Sequence, residues 1–489
     1  MRSGFISARI SKLLAMLIIS TVWLHGQTTN RALPPVHEER IGDAPDFPDL
    51  AYIDRNGHLG VIIAHPGMKK SVIINSKESP QYDAIQAGAY APIIFNRDGQ
   101  HFMYVAQKGS QKVMVVDGIE GVAYDDIIIV PMPIMSEDGE HTAYVAKTGK
   151  KYVAVIDGKE GPKYDGIERL TVSADSQHVA YATISGNIMD HTRSLGWSLV
   201  LDGKNGEDYD GIGAVAISPN GKRLAYVAIN GRKSYMVVDD KMEPPYDGIG
   251  IFVPGALIGP IFSSDSKHVA YQAHKGQKMV VVVDGKESPE YDAIEEDSPA
   301  FSPDGSRMAY VAREGKQEFA VVDGHEGPMY DAVRQITFSN DGHRVAYVGW
   351  KVKTQVVVVD GKEGPEYPAV GPLEFSPDGR HFYYSAFQSR DTSQIGDKDI
   401  TEIIDGQPQP ARGKFRIGPI FSSDMQHNAY VPFGKMREER VFLDGQEGPA
   451  YTEIAKGPVF QPNGSLEYLA IRDHVLYRVT QPLPIAGVK

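Results

Sequence analysis

The chain has 489 residues, no cysteine and a formal net charge of −13 spread along its length. Those figures exclude disulfides, thiolate metal sites and a cysteine nucleophile, and they argue against nucleic acid, whose affinity comes from a basic surface. With 42% apolar residues, 50 glycines and 32 prolines, the expected product is two domains or one repeat ring rich in turns.

Residues 1–27 have the pattern of an export signal. Arg2, Arg9 and Lys12 precede the apolar run Leu13–Leu24, which is shorter than the roughly 20 residues a spanning helix needs. A periplasmic or secreted protein is expected, with no transmembrane span in its mature form. LHGQ near Gly26 is a poor cleavage site, so an uncleaved tether is the alternative. Residues 28–48, rich in Pro, Asp and Glu, read as a linker, and 481–489 as a tail.

From Ile53 onward the chain repeats itself about every 40 residues. Asp-Gly recurs at Asp117, Asp157, Asp202, Asp284, Asp323, Asp360, Asp405 and Asp444, with degenerate copies at Asp239 and Asn75. Seven residues after each except Asp405 comes a tyrosine, among them Tyr124, Tyr164, Tyr209, Tyr291 and Tyr330. Each unit opens with a turn such as Phe301-Ser-Pro-Asp-Gly305. Then follow the runs Met308–Val311 and Phe319–Val322, the Asp-Gly turn, and Tyr330–Val333. Four short β-rich runs between turn residues, joined by Asp-Gly hairpin signals, predict an all-β propeller of four-stranded blades. The count is ten complete repeats and a partial eleventh, Phe460–Val479. The missing strand of that last unit is expected from Asp46–Tyr52, which would close one large ring.

The opening-turn and AYV elements, clearest at Phe301–Val311, Phe375–Tyr384 and Ile217–Val227, resemble the TolB-type, WD-like propeller repeat of bacterial envelope proteins. The resemblance implies a periplasmic scaffold role, although no segment here is like TolB's separate N-terminal α/β domain. Two features recur five units apart: the long loops Ile184–Ser198 and Phe387–Asp399, and the near-identical KESPQYDAI and KESPEYDAI. They favour two stacked propellers of about five and six blades, with blocks 49–254 and 255–480, over the single-ring alternative.

Each Asp-Gly-Lys-Glu-Gly-Pro turn gathers carboxylates, which suits calcium. Because the motif recurs in nearly every unit, a bulged or type I′ hairpin is the favoured reading, with no cofactor. The tyrosine reads as a blade-packing residue whose hydroxyl has a fixed partner. Histidine falls three residues after the opening-turn Asp at His101, His141, His178, His268, His381 and His427, and arginine takes that place at Arg223, Arg307 and Arg344. A cation repeated beside a carboxylate predicts an Asp–His or Asp–Arg bond in each blade and, through histidine titration, acid-sensitive stability.

No nucleophile elbow, zinc-binding His-Glu-x-x-His or P-loop is present. Candidate binding residues are therefore the non-repeating ones of the two long loops: His191, Arg193 and Trp197, and Arg390, Asp391, Asp397 and Asp399. The favoured function is a non-enzymatic scaffold for a protein or other envelope component, without nucleic acid. The alternative is a secreted carbohydrate-active or other hydrolytic propeller, whose catalytic carboxylates should be unique to their blades.

Overall fold

Each Asp-Gly forms a type I′ turn, because both residues lie in the left-handed region that matches the twist of the flanking strands. At the eight Asp-Gly sites the aspartate φ is 49–53° and the glycine φ 72–80°. Asp239–Asp240 makes the same turn without glycine, at φ 50° and 61°. Such turns join apolar runs into antiparallel hairpins, and four consecutive strands make one blade.

In this computed structural model, residues 33–484 are described except 44–50, 54–58, 75–76, 87–92, 97–98, 130–132, 187–195, 254–255, 296–297, 377, 391–398, 409–414, 423–425, 433–437 and 462. The proposed export signal lies outside the described residues. Among the described residues eleven sheets of four or more strands follow one another, ten of them with strands a to d in chain order. Blade 8 is representative, with Ala332–Phe338, Val345–Lys351, Thr354–Val359 and Lys362–Tyr367. In five blades strand a is split, as into Ala293–Ile294 and Ala300–Phe301 in blade 7.

The blade boundary differs from the sequence unit. Tyr330–Val333 is divided between two blades: Tyr330, beyond His325–Glu326, still bridges Glu318 of its own blade, and Ala332–Phe338 opens the next. Closure also differs. Strand d of blade 11 is His37–Asp43, from the stretch read as linker, paired antiparallel with Val475–Pro482. Of Asp46–Tyr52, expected to play that part, residues 46–50 lie outside the described residues, and Ala51 and Tyr52 belong to Ala51–Ile53, which opens blade 1 against Leu59–Ala64.

The core is a series of apolar seams between blades. Blade 1 meets blade 2 through Ile62, Val72, Tyr104 and Val113, and blade 10 meets blade 11 through Val431, Leu443, Tyr451 and Leu466. The fifth and sixth blades pack through Val227, Met236, Tyr271 and Val280. Here the sequence reading drew its boundary, and the hairpin Ile251–Val253 with Ala256–Ile258 is inserted into strand a of blade 6. The eleventh blade packs on the first through Ile41, Val61, Ile73, Leu469 and Leu476. Each buried aliphatic side chain contributes about 1.5–3 kcal/mol, so these seams outweigh any single polar contact.

Candidate functional site

The a–b and c–d turns lie together on one face of the propeller. There the repeated cations find their partners, but not the ones beside them in sequence. His101 Nδ1 donates to Asp117 Oδ2 at 2.7 Å, and the other Oδ accepts Phe102 N–H at 2.8 Å. The same arrangement joins His141 to Asp157, His178 to Asp202, His268 to Asp284, His381 to Asp405 and His427 to Asp444. Arginine Nε replaces the imidazole at Arg223–Asp239, Arg307–Asp323 and Arg344–Asp360. The Asp-Gly aspartate is thus the partner, 16 to 24 residues away in most blades. The opening-turn aspartate is occupied otherwise: Ser302 Oγ donates to Asp304 Oδ1 at 2.5 Å, and Ser306 N–H at 3.1 Å. These bonds hold the Asp304 carboxyl down at about 2.

This turn face also links blades. Arg307 places its guanidinium over Phe338 and donates to the His343 carbonyl at 2.8 Å, both in blade 8. A Cβ at Gly342, whose φ is 73°, would come 2.2 Å from Asp304 Oδ1 of the preceding blade. With both oxygens of the Asp-Gly carboxylates engaged, they act as turn staples. Among the described residues no three His, Asp or Glu side chains form a metal-holding group.

The tyrosines and the aspartates after them sit toward the opposite face, beside the b–c hairpins. Nine tyrosines meet a strand-b tyrosine of the following blade edge-on, with centroids 6.0–6.4 Å apart and interplanar angles of 60–81°. In four cases the hydroxyl donates to a glutamate of that next blade: Tyr246 to Glu287, Tyr291 to Glu326, Tyr330 to Glu363 and Tyr451 to Glu38. Burial first, then the glutamate, pushes the Tyr246 phenol up to about 12. Asp292 bridges in the same way, accepting from Lys278 Nζ at 2.8 Å in blade 6 and Gly315 N–H at 2.6 Å in blade 7. The lysine and then the glycine N–H hold its carboxyl below the ordinary value.

Both long loops leave this hairpin face, from blades 4 and 9. His191, Arg193, Asp391 and Asp397 lie outside the described residues. Trp197 is not a loop residue: it is the second residue of Gly196–Leu201, strand c of blade 4, and packs half-buried against the seam with blade 5. It stands five residues before its Asp-Gly, where Glu318, Gln355 and Glu439 bond strand-a N–H groups of the next blade. Arg390 Nη2 donates to the Lys351 carbonyl at 3.2 Å and Nε to the Pro368 carbonyl at 3.3 Å, tying the second loop to the blade 8 hairpin. The Asp399 carbonyl accepts Gln388 N–H across the loop's base. The neighbouring hairpin exposes Trp350 at 40% and Val352 at 78%, and the blade 1 hairpin exposes Met68 at 87%.

A second departure from the repeat was missed by looking only at loops. On one side of blade 9, Glu374, Tyr383, Ser385 and Glu402 are neighbours across strands a, b and c. Blade 7 has Ala300, Ala309, Val311 and Ala320 at the same positions. Glu402, 4% exposed, accepts from the Tyr383 hydroxyl and from Ser385 Oγ. Phe421 of blade 10 covers Tyr383, with ring centroids 4.8 Å apart. Desolvation raises the Glu374 carboxyl, and desolvation followed by the Glu402 charge raises the Tyr383 phenol. Aligning FYYSAF and ITEIID with MAYVAR and EFAVVD would have revealed these residues.

No protein-family model matches the chain, and no curated protein matches it by sequence. Among solved structures it is similar to a eukaryotic initiation factor, at 11% identity and a TM-score of 0.39 over 70% of this chain and 93% of that one. The β-propeller domain of the trilobed protease from Pyrococcus furiosus matches at 18% identity and 0.28 over 58% and 94%. TolB from Acinetobacter baumannii matches at 16% identity and 0.23 over 55% and 78%. What the chain itself displays is a β-propeller of eleven four-stranded blades.

Proposed function

We propose that the chain is an exported, TolB-like scaffold that binds a protein or another envelope component on its hairpin face. The observation that carries this reading is where the repeat is broken. Both long loops and the exposed Met68, Trp350 and Val352 belong to b–c hairpins, whereas the opposite face repeats one staple from blade 2 to blade 10. Exposed large apolar side chains on a rigid frame serve as anchors for a partner. The test is capture from envelope extract by residues 28–489, beside a variant with 187–195 and 391–398 shortened to hairpin length and one with Trp350→Ala and Val352→Lys. A partner lost in either variant at unchanged melting temperature supports the reading. A partner retained by both sinks it.

A hydrolytic reading draws on Glu374, Tyr383 and Glu402, which other blades do not share. Glu402, however, is buried and committed to two hydroxyls, whereas a catalytic pair must face its substrate together. Ester or glycan hydrolysis abolished by Glu374→Gln would establish that reading instead.

A further inference from the structure

Neighbouring blades are joined by side chains, so the ring is as strong as its weakest seam. Among the described residues, apolar clusters join ten of the eleven neighbouring pairs, from blades 1 and 2 round to blades 11 and 1. No such cluster joins described residues of blades 9 and 10. Nine seams also carry an edge-on tyrosine pair, but the repeat from Asp405 has no tyrosine to give.

The side chains that blade 9 turns toward blade 10 account for this. Blade 7 offers Val311 and Ala320 to blade 8, and blade 8 offers Val348 and Val357 to blade 9. At those positions blade 9 has Ser385 and Glu402. The hydrogen bonds from the Tyr383 and Ser385 hydroxyls to Glu402 lie within blade 9, so they survive if blade 10 moves away. The tyrosine–glutamate bonds of other seams cross from blade to blade and break on separation. Strand b of blade 9 is complete without blade 10, since it pairs with strands a and c. A contact that does cross is the Phe421 ring, 4.8 Å from that of Tyr383.

We infer that the ring opens between blades 9 and 10, the two sheets parting intact and admitting solvent to Tyr383, Ser385 and Glu402. The alternative is the place where the N-terminal strand closes the ring. There His37–Asp43 completes a ladder with Val475–Pro482, and Ile41 packs with Val61, Ile73 and Leu469. Opening at that strand gives up the ladder or the cluster. Opening between blades 9 and 10 gives up no sheet ladder and less buried apolar surface. A ring closed by both ends of its chain thereby opens without releasing either.

Nitration of the protein's own tyrosines by tetranitromethane, located by mass spectrometry, tests the inference. Tyr383 and Tyr384 are adjacent and buried, at 6% and 3% exposure, but face opposite seams. Tyr383 is expected to react at least about ten-fold faster than Tyr384. The double variant Ser385→Val, Glu402→Ala, which gives blade 9 the residues of blade 7, should slow Tyr383 at least about ten-fold and leave Tyr384 unchanged. Equal rates at the two tyrosines overturn the inference, whether both are slow in a ring that stays shut or both fast through unfolding of blade 9. A Tyr383 rate unmoved by the double variant also overturns it. So does faster nitration of Tyr451, whose hydroxyl is held by Glu38 of the closing strand, which places the opening there. If the double variant does not fold, the wild-type ratio of Tyr383 to Tyr384 decides.

Discussion

At the scale of single residues, one aspartate per blade does three things at once. Asp323 turns the chain at φ 51°, accepts Met308 N–H and holds the Arg307 guanidinium. Asp323→Asn keeps an acceptor and tolerates the left-handed backbone, whereas Asp323→Ala loses both bonds and costs about 1–2 kcal/mol in the backbone alone. The melting temperature is expected to fall clearly further for alanine than for asparagine. The His141–Asp157 pair adds a pH dependence whose sign is opposite to acid sensitivity. The Asp157 hydrogen bond, opposed by desolvation and reinforced by its charge, raises His141 above the ordinary imidazole value. A raised folded value means that the stabilisation is fully present below about pH 6.5 and is lost as pH rises through the folded value. The melting difference between wild type and His141→Gln should be larger at pH 5.5 than at pH 8.

At the scale of strands, the closing element has a backbone ladder, an apolar seam at Ile41 and one polar anchor, Glu38. Its carboxylate takes both Arg472 Nη groups and the Tyr451 hydroxyl, the part played by the Asp-Gly-Lys-Glu glutamate in earlier blades. Arg472 first, against desolvation, lowers its pKa. The stabilisation is therefore present above the ordinary carboxylate value and lost as pH falls through the lowered one. Glu38→Gln should lower the melting temperature at pH 7, and by less at pH 3. Inside the seams the tolerance is smaller: a Cβ at Gly349 would lie 2.5 Å from the Tyr330 ring, so Gly349→Ala should cost about 1–3 kcal/mol in urea unfolding. These elements were only partly legible in the sequence. The Asp-Gly turns and β-branched runs announced hairpins of fixed register, because turn chemistry is local. Glu38 was hidden, since HEERIGD has no Asp-Gly anchor and its partner lies more than 430 residues away.

At the scale of the whole molecule, periodicity revealed the propeller but obscured its singular parts. The period says that blades exist and fixes no ring size, because each seam is a contact between neighbours whatever their number. The same averaging concealed Tyr383, Ser385 and Glu402, which stand at core positions rather than in loops. It pointed to Trp197 as a loop anchor when that residue stands in a strand, half-buried against a seam. The repeated turn carboxylates, each already satisfied by the protein, lead us to expect that EDTA leaves the melting temperature unchanged. A large downward shift would reinstate calcium.

Closure by His37–Asp43 also sets an order of events in time. The strand made among the earliest is the last to find its place, because its partner, Val475–Pro482, is nearly the end of the chain. During synthesis blades 1 to 10 can form in succession, while the final blade waits for a contact spanning almost the entire polypeptide, the kind that closes slowly. Until then Val475–Pro482 is an open sheet edge, and Val61 and Ile73 of blade 1 lack the cover that Ile41 gives them. A substitution in either strand of this pair therefore acts on the last contact of the ring to form.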